Sequence, residues 1–241
     1  MSSNRASSLG SLALRTRRRI KSWMGRELIV SIQDHRATEY HGSAYGGWAV
    51  VPDALSAEAI VYSFGVGDDI SFDLSLIHKY GLTVHAFDPT PRSISWVREQ
   101  SMPPQFVFHD IGIGDHDGTI VLFPPKKDSH MSFTVMDRGA RSRQEGVEVP
   151  VRRLSTLMRD VGHSRIDVLK MDVEGAEYDV LRTLEEDGIY PTQLLVEFHH
   201  RFFPDGIERT RAAIQHLNEL QYRLVAVSAS GEEYTFVRET G

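Results

Sequence analysis

The chain has 241 residues, 41% of them hydrophobic and 25% charged, with a formal net charge of −6; these proportions suit a soluble globular protein of one α/β domain with a short extension. It contains no cysteine, which excludes disulfides, thiolate zinc sites, cysteine nucleophiles and cysteine-held iron–sulfur clusters, and fits a reducing, cytoplasmic setting. No run approaches the ~18 uninterrupted apolar residues of a membrane span, because the nearest, residues 49–66, is broken by Pro52, Asp53 and Glu58.

Residues 1–26 carry seven basic side chains (Arg5, Arg15, Arg17, Arg18, Arg19, Lys21, Arg26) and no acid. The rest therefore holds 20 basic against 33 acidic residues, a net of −13. An acidic body argues against nucleic acid as a partner, since duplex affinity comes largely from phosphate neutralisation. Leu9, Leu12, Ala13, Ile20, Trp23 and Met24 recur in the basic head at roughly helical spacing. Two readings fit: weak contact with an anionic membrane surface or a targeting segment, or a loosely ordered leader whose helix docks on the domain. We expect a partly helical extension over residues 1–44 and a single domain over 45–241.

From there the pattern alternates. Strand-like runs at 59–64, 83–87, 106–111, 166–171 and 194–198 are separated by helix-like stretches at 70–80, 92–100, 155–161 and 176–184. A further helix at 207–220 precedes two closing strands, 223–228 and 233–238. Alternation of this kind predicts a mainly parallel sheet with helices on both faces, and the closing strands predict an antiparallel pair at one edge. Residues 112–150, rich in Gly and Pro, read as a hairpin plus a loop.

Sheets of this class bind ligands at the carboxyl ends of their strands. The residues there are Gly65 and Gly67, Asp88, Asp110 with Ile111, Asp172, and Glu197 followed by His199. The glycine pair departs from both common phosphate cradles: Ile70 replaces the third glycine of a dinucleotide fingerprint, and no Gly-Lys-Ser/Thr occurs. Asp68 and Asp69 would repel a pyrophosphate, yet they suit a ligand with a cationic end, such as S-adenosylmethionine. As the plainer alternative, one of them caps the following helix. Asp88 lies 21 positions after Gly67, near the ~20-residue offset at which a carboxylate meets ribose hydroxyls. Asp110 is placed to accept from an adenine amino group, or else is a turn aspartate.

Six segments together resemble the FkbM family of S-adenosylmethionine-dependent methyltransferases: YGGW (45–48), VYSFGVGDDISFD (61–73), VHAFDPTPRS (84–93), DIGIGDHDG (110–118), LKMDVEGAEYDVL (169–181) and LLVEFHH (194–200). The resemblance implies a seven-stranded, Rossmann-like class I methyltransferase fold and O-methylation of a sugar, glycan or secondary-metabolite hydroxyl. It also implies that Gly65, Gly67, Asp69, Asp88, Asp110 and Ile111 face the cofactor. The chain departs from the family's pattern at Ser63 and Asp69, where an acid and a third glycine are usual, and at Ser155, where an aspartate is frequent. With a third glycine replaced, Asp69 is a candidate for the cofactor's ammonium group.

Methyl transfer to a hydroxyl needs alignment and benefits from a base. The candidates are Asp172, Glu197, His199 and His200, and the two histidines should point to opposite sides of a continuing strand. A histidine with its usual pKa of ~6.5 suits a base near neutrality. The same carboxylates and histidine would alternatively hold a divalent ion that positions the acceptor. Glu174 and Glu177 read as first-turn acids of a helix, favoured by its dipole, and Lys170 as a partner for one of them. Two other classes stay open: a methyltransferase-like binding module without activity, and a nicotinamide-dependent oxidoreductase.

Overall fold

The computed structural model describes residues 22, 27–123 and 146–239. The basic head (all of 1–26 but Ser22) and the loop at 124–145 lie outside the described residues, so both readings of residues 1–26, surface or targeting segment and docked leader, do too. In chain order the elements are β1 (Glu39–His41), β2 (Trp48–Val50), β3 (Ile60–Phe64), α1 (Ser71–Tyr80), β4 (Thr83–Phe87), α2 (Pro91–Glu99) and β5 (Phe106–His109). Then come β6 (Gly112–Ile113), β7 (Gly118–Leu122), β8 (Val147–Arg152), α3 (Leu154–Val161), β9 (Val168–Met171) and α4 (Glu177–Asp187). β10 (Gln193–Glu197), α5 (Gly206–Glu219), β11 (Tyr222–Val227) and β12 (Glu233–Arg238) complete the chain.

The main sheet has seven strands in the order β11-β12-β10-β9-β3-β4-β5. β10, β9, β3, β4 and β5 run parallel, and β12 is antiparallel to both its neighbours. This is the mainly parallel α/β sheet expected from the alternation, with the antiparallel pair at one edge, and its seven strands are those of the Rossmann-like fold that the resemblance implies. Its chemistry explains it: β9 is buried at all four positions, as a strand covered on both faces must be. Side chains alternate between the faces. Leu169 and Met171 join the core beneath α3, α4 and α5, whereas Val61 and Val168 pack with Leu76 and Ile77 of α1 on the other side.

Chain order along the sheet reverses at the β3–β9 boundary, since β4 and β5 extend to one side and β10 to the other. That boundary is the switch point at which such sheets open a crevice. The 112–150 region holds the expected hairpin, β7–β8, with β6 added parallel to β8. The β1–β2 hairpin is new relative to the sequence reading, and the expected boundary between residues 44 and 45 falls in its turn. Upstream of it, Leu28 already belongs to the main core, and the Gln33 N–H donates to Leu224 O at 2.8 Å. No helix among the described residues is long and apolar enough to cross a membrane.

One core feature makes the fold acid-sensitive. His85 Nδ1 and His109 Nε2 lie 3.1 Å apart, the Tyr62 hydroxyl meets His163 Nδ1 at 3.0 Å, and the His85 and His163 rings touch edge to face. Burial, with the neighbouring His163 and His109, lowers the His85 pKa to about 4, and burial lowers the other two as well. The unfolded chain takes up these protons near pH 6.5 and the folded one does not, so stability should fall as pH drops from 6.5 toward 4. Melting temperatures at pH 7 and pH 5 will check this: His85→Phe, which keeps a ring but cannot titrate, should show the smaller drop, and an equal drop would refute the assignment.

Candidate active site

A cavity of about 460 Å³ opens at the carboxyl ends of β3, β4, β9 and β10. It is roofed on one side by residues 44–48 of the β1–β2 turn and on another by Ser230, Glu232 and Glu233 from the β11–β12 turn.

Its first wall is the turn after β3. Gly65 adopts φ +84°, and a Cβ there would stand 1.9 Å from the carbonyl oxygen of Asp172. Only glycine lets β3 and β9 end this close together. Lys170 clamps the same turn: its ammonium donates to the carbonyl oxygens of Gly65 at 2.6 Å and Phe64 at 3.3 Å, and lies 5.8 Å from the centre of the Trp48 ring. Its role is thus to hold the turn, not to pair with Glu174 or Glu177. Gly67, at φ +55°, has nothing within 4 Å of its Cβ direction.

Asp88 reaches this wall, but its carboxylate is already engaged. Oδ2 accepts the N–H groups of Val66 at 3.0 Å and Gly67 at 3.1 Å, and Oδ1 accepts the N–H and the hydroxyl of Thr90. Four acceptances fill the capacity of one carboxylate, so Asp88 shapes the turn, and a ribose would have to share it. Asp69 is likewise committed. Oδ1 accepts the Ser71 N–H at the start of α1 and Oδ2 accepts the Ser43 hydroxyl. Burial raises its pKa, but these hydrogen bonds outweigh that and hold the carboxyl below its ordinary value. Asp69 thus braces the entry to α1 through Ser71, although the residue at the N-cap position is Ile70.

Asp110 and Ile111 correct the sequence reading. β5 ends at His109, two residues early, and the chain turns so that Gly112 and Ile113 line the cavity instead. Asp110 is exposed, with Arg98 Nη2 at 3.9 Å, and Ile111 packs against the main core.

The second wall gathers acids around His199. Its ring is 4% exposed, and Nε2 stands 3.7 Å from Asp172 Oδ1, 3.6 Å from Glu174 Oε2 and 3.6 Å from Glu197 Oε1. Behind the ring, Nδ1 lies 3.5 Å from Glu177 Oε2. Glu177 is wholly buried; its two oxygens accept the His199 N–H at 2.8 Å and the Gly175 N–H at 2.9 Å. Glu174, expected in the first turn of a helix, lies instead in the loop before α4 with φ +51°, a conformation uncommon for glutamate that sets its carboxylate in the cluster.

Burial lowers the pKa of His199, yet Glu177, Glu174 and Asp172 more than offset this and hold it at about 10. Burial and the charge of Asp172 push Glu197 up to about 9. As long as no cation competes with the proton, these carboxylates favour the protonated ring, which in that form has no lone pair with which to act as a base. His200 points the other way, although not by strand alternation, because β10 ends at Glu197 and His200 opens a 3-10 turn. Its Nδ1 meets Phe198 O at 3.1 Å and its Nε2 faces Glu27 Oε1 at 3.3 Å, outside the cavity.

The lining is one-sided in charge. Asp68, Asp69, Asp88, Asp172, Glu174, Glu197, Glu232 and Glu233 contribute eight acidic side chains, and Lys170 is the one cationic side chain among the described lining residues.

The Methyltransferase FkbM domain family model matches residues 57–224, which takes in both walls described above. The chain belongs to the FkbM methyltransferase family. Among its relatives, human probable methyltransferase-like protein 24 is 29% identical over 142 residues, covering 58% of this chain and 32% of that protein. Methyltransferase 1 of Beauveria bassiana is 32% identical over 137 residues, covering 48% of this chain and 55% of that protein. The chain thus spans between about a third and just over half the length of these curated relatives. The crystal structure of the methyltransferase FkbM from Methylobacillus flagellatus superposes with a TM-score of 0.47 at 14% identity, covering 76% of this chain and 44% of that one.

Several lining residues of this FkbM-family chain were not singled out from sequence. Tyr45 and Trp48 sit in the quoted YGGW stretch, whose paired glycines between aromatics signal a tight turn. Glu232 and Glu233 carry no local signal and reach the cavity only because β12 inserts beside β10. Residues 44–48 and 230–233 also lie outside the family-matched span.

Proposed function

We propose that this protein transfers a methyl group from S-adenosylmethionine to a hydroxyl of a sugar, glycan or secondary metabolite, working in the cytoplasm and not on nucleic acid. The observation that carries this reading is the eight-acid lining of a switch-point cavity in an FkbM-family chain. A sulfonium–ammonium ligand is attracted there, whereas the pyrophosphate of a nicotinamide cofactor is repelled. Nucleic acid is disfavoured by the same charge. The cavity volume falls in the range usual for small-molecule sites.

In this reading the cofactor lies along the Gly65–Gly67 turn. The acceptor enters past Tyr45, which is 81% exposed at the mouth and offers an aromatic face to a sugar ring. The acceptor oxygen attacks the methyl carbon in line, the C–S bond breaks, and its electron pair stays on sulfur as a neutral thioether. Asp172, whose side chain is 33% exposed against 20% for Glu174 and 22% for Glu197, is the most accessible cluster acid to take the hydroxyl proton.

Calorimetry with S-adenosylmethionine and with its demethylated product tests the cofactor assignment. Both should bind, and Asp88→Ala should weaken both roughly 10–150-fold, because the Gly65–Gly67 turn loses the charged acceptor of its Val66 and Gly67 N–H groups, worth about 1.5–3 kcal/mol. A folded wild type that binds neither would overturn the proposal. Binding without turnover on any hydroxyl acceptor would favour a methyltransferase-like binding module.

A further inference from the structure

We infer that Asp172, Glu174 and His199 form a binding site for one divalent cation on the cavity floor, with Glu177 as the carboxylate that orients the histidine. The inference deepens the methyl-transfer reading, and rests on it for what the cation does, but cation binding itself depends only on the residues below.

The geometry around His199 is the starting point. An imidazolium that merely neutralised an acid would donate along Nε2–H to one carboxylate at about 2.7–2.9 Å. Instead Nε2 is almost equidistant from three carboxylate oxygens, at 3.6–3.7 Å, beyond hydrogen-bond reach of each. One N–H cannot serve three acceptors, but one ion can. The chosen donor atoms of Asp172, Glu174 and His199 all lie within 4.8 Å of one another. Donors about 2.0–2.2 Å from a shared ion stand roughly 3–3.6 Å apart at tetrahedral or octahedral angles; the two nitrogen–oxygen pairs, at 3.6 and 3.7 Å, are already close to this, and the widest pair, within 4.8 Å, closes by about 1 Å at most on coordination.

The far side of the ring supplies an independent observation. Metal-bound histidines commonly donate their second ring N–H to a carboxylate, which fixes the tautomer and aims the other nitrogen at the metal. Glu177 stands at 3.5 Å from Nδ1, wholly buried, and is itself pinned by the His199 and Gly175 backbone N–H groups. The His199 ring is more than nine-tenths buried, and its Nδ1 has no hydrogen bond of ordinary geometry. This leaves Nε2 aimed into the acids. Glu174, at φ +51°, completes the triangle from a loop.

Two carboxylates and one imidazole are a mixed oxygen–nitrogen set. Carboxylates alone suit magnesium and calcium, and the imidazole shifts preference toward manganese and its later neighbours. In the methyl-transfer reading such an ion would face the open side of the cavity, where it would bind the acceptor oxygen and lower its pKa.

The test uses the full chain and manganese(II) chloride without cofactor or acceptor. Titration calorimetry should show one site per chain, and the six-line electron paramagnetic resonance signal of free manganese should fall in step. Glu174→Gln and Asp172→Asn, both on the partly open floor, should each weaken binding at least tenfold with little change in melting temperature. His199→Gln should also weaken binding at least tenfold, here with a loss of stability because it leaves buried Glu177 beside a neutral amide; if it does not fold, Glu174→Gln carries the test. Asp68→Asn, an exposed lining acid outside the cluster, should leave affinity unchanged. Absence of binding by the folded wild type, or equal losses in Asp68→Asn and Glu174→Gln, would overturn the site. Manganese binding without cofactor binding would keep the site and remove the methyltransferase reading, whereas cofactor binding without manganese binding would remove the site alone.

Discussion

Gly65→Ala should abolish S-adenosylmethionine binding and lower the melting temperature by roughly 4–20 °C. Two costs add. A non-glycine residue in the left-handed region costs about 1–2 kcal/mol, and Gly65 sits at φ +84°. The new methyl would also stand 1.9 Å from the Asp172 carbonyl oxygen. That contact is backbone on both sides and is clamped by Lys170, so relief requires the ends of β3 and β9 to move apart. Overpacking of this kind typically costs 1–3 kcal/mol. The sum of about 2–5 kcal/mol converts at roughly 2–4 °C per kcal/mol for a chain of this size. Gly67→Ala is the internal control, because it shares the positive φ but has open space where its Cβ would go. It should cost only about 1–2 kcal/mol. Equal losses in the two variants would show that close approach to Asp172 is not what Gly65 supplies.

The contrast between these two glycines marks what a sequence reveals about such a site. Gly65 and Gly67 are visible in the chain as a pair after an apolar run, and the parallel sheet follows from the same alternation. The strand ends were therefore legible as a set: Asp88, Asp172 and Glu197 do reach the cavity. What was not legible depends on tertiary direction. The apolar run places Asp110 at a strand end, but β5 stops at His109 and the chain turns into β6, which carries Asp110 out to solvent. Glu174 looked like a helical first-turn acid, yet α4 begins only at Glu177, and the left-handed backbone at Glu174 sends its carboxylate to His199 instead. The raised pKa of His199 belongs to no local pattern. It arises because Asp172, Glu174, Glu177 and Glu197 converge on one ring from two strand ends and a helix start.

Glu177 is where that convergence is most costly to disturb. Glu177→Ala should destabilise the fold by about 3–5 kcal/mol, the range for breaking one side of a buried charge pair. It strands two buried N–H groups, those of Gly175 and His199, and removes the carboxylate beside the His199 ring. Glu177→Gln keeps the volume but has a single acceptor oxygen, so one of the two N–H groups must face the amide NH₂. Leaving one buried donor unsatisfied costs about 1–3 kcal/mol. Chemical denaturation should therefore rank wild type above Glu177→Gln and Glu177→Ala last, with unchanged m-values if the compactness of both states is kept. If Glu177 were only a first-turn acid favoured by the helix dipole, its loss would cost no more than about 0.3–1 kcal/mol. A Glu177→Ala deficit in that range would mean that the buried acceptances do not hold the β9–α4 loop and His199 in place.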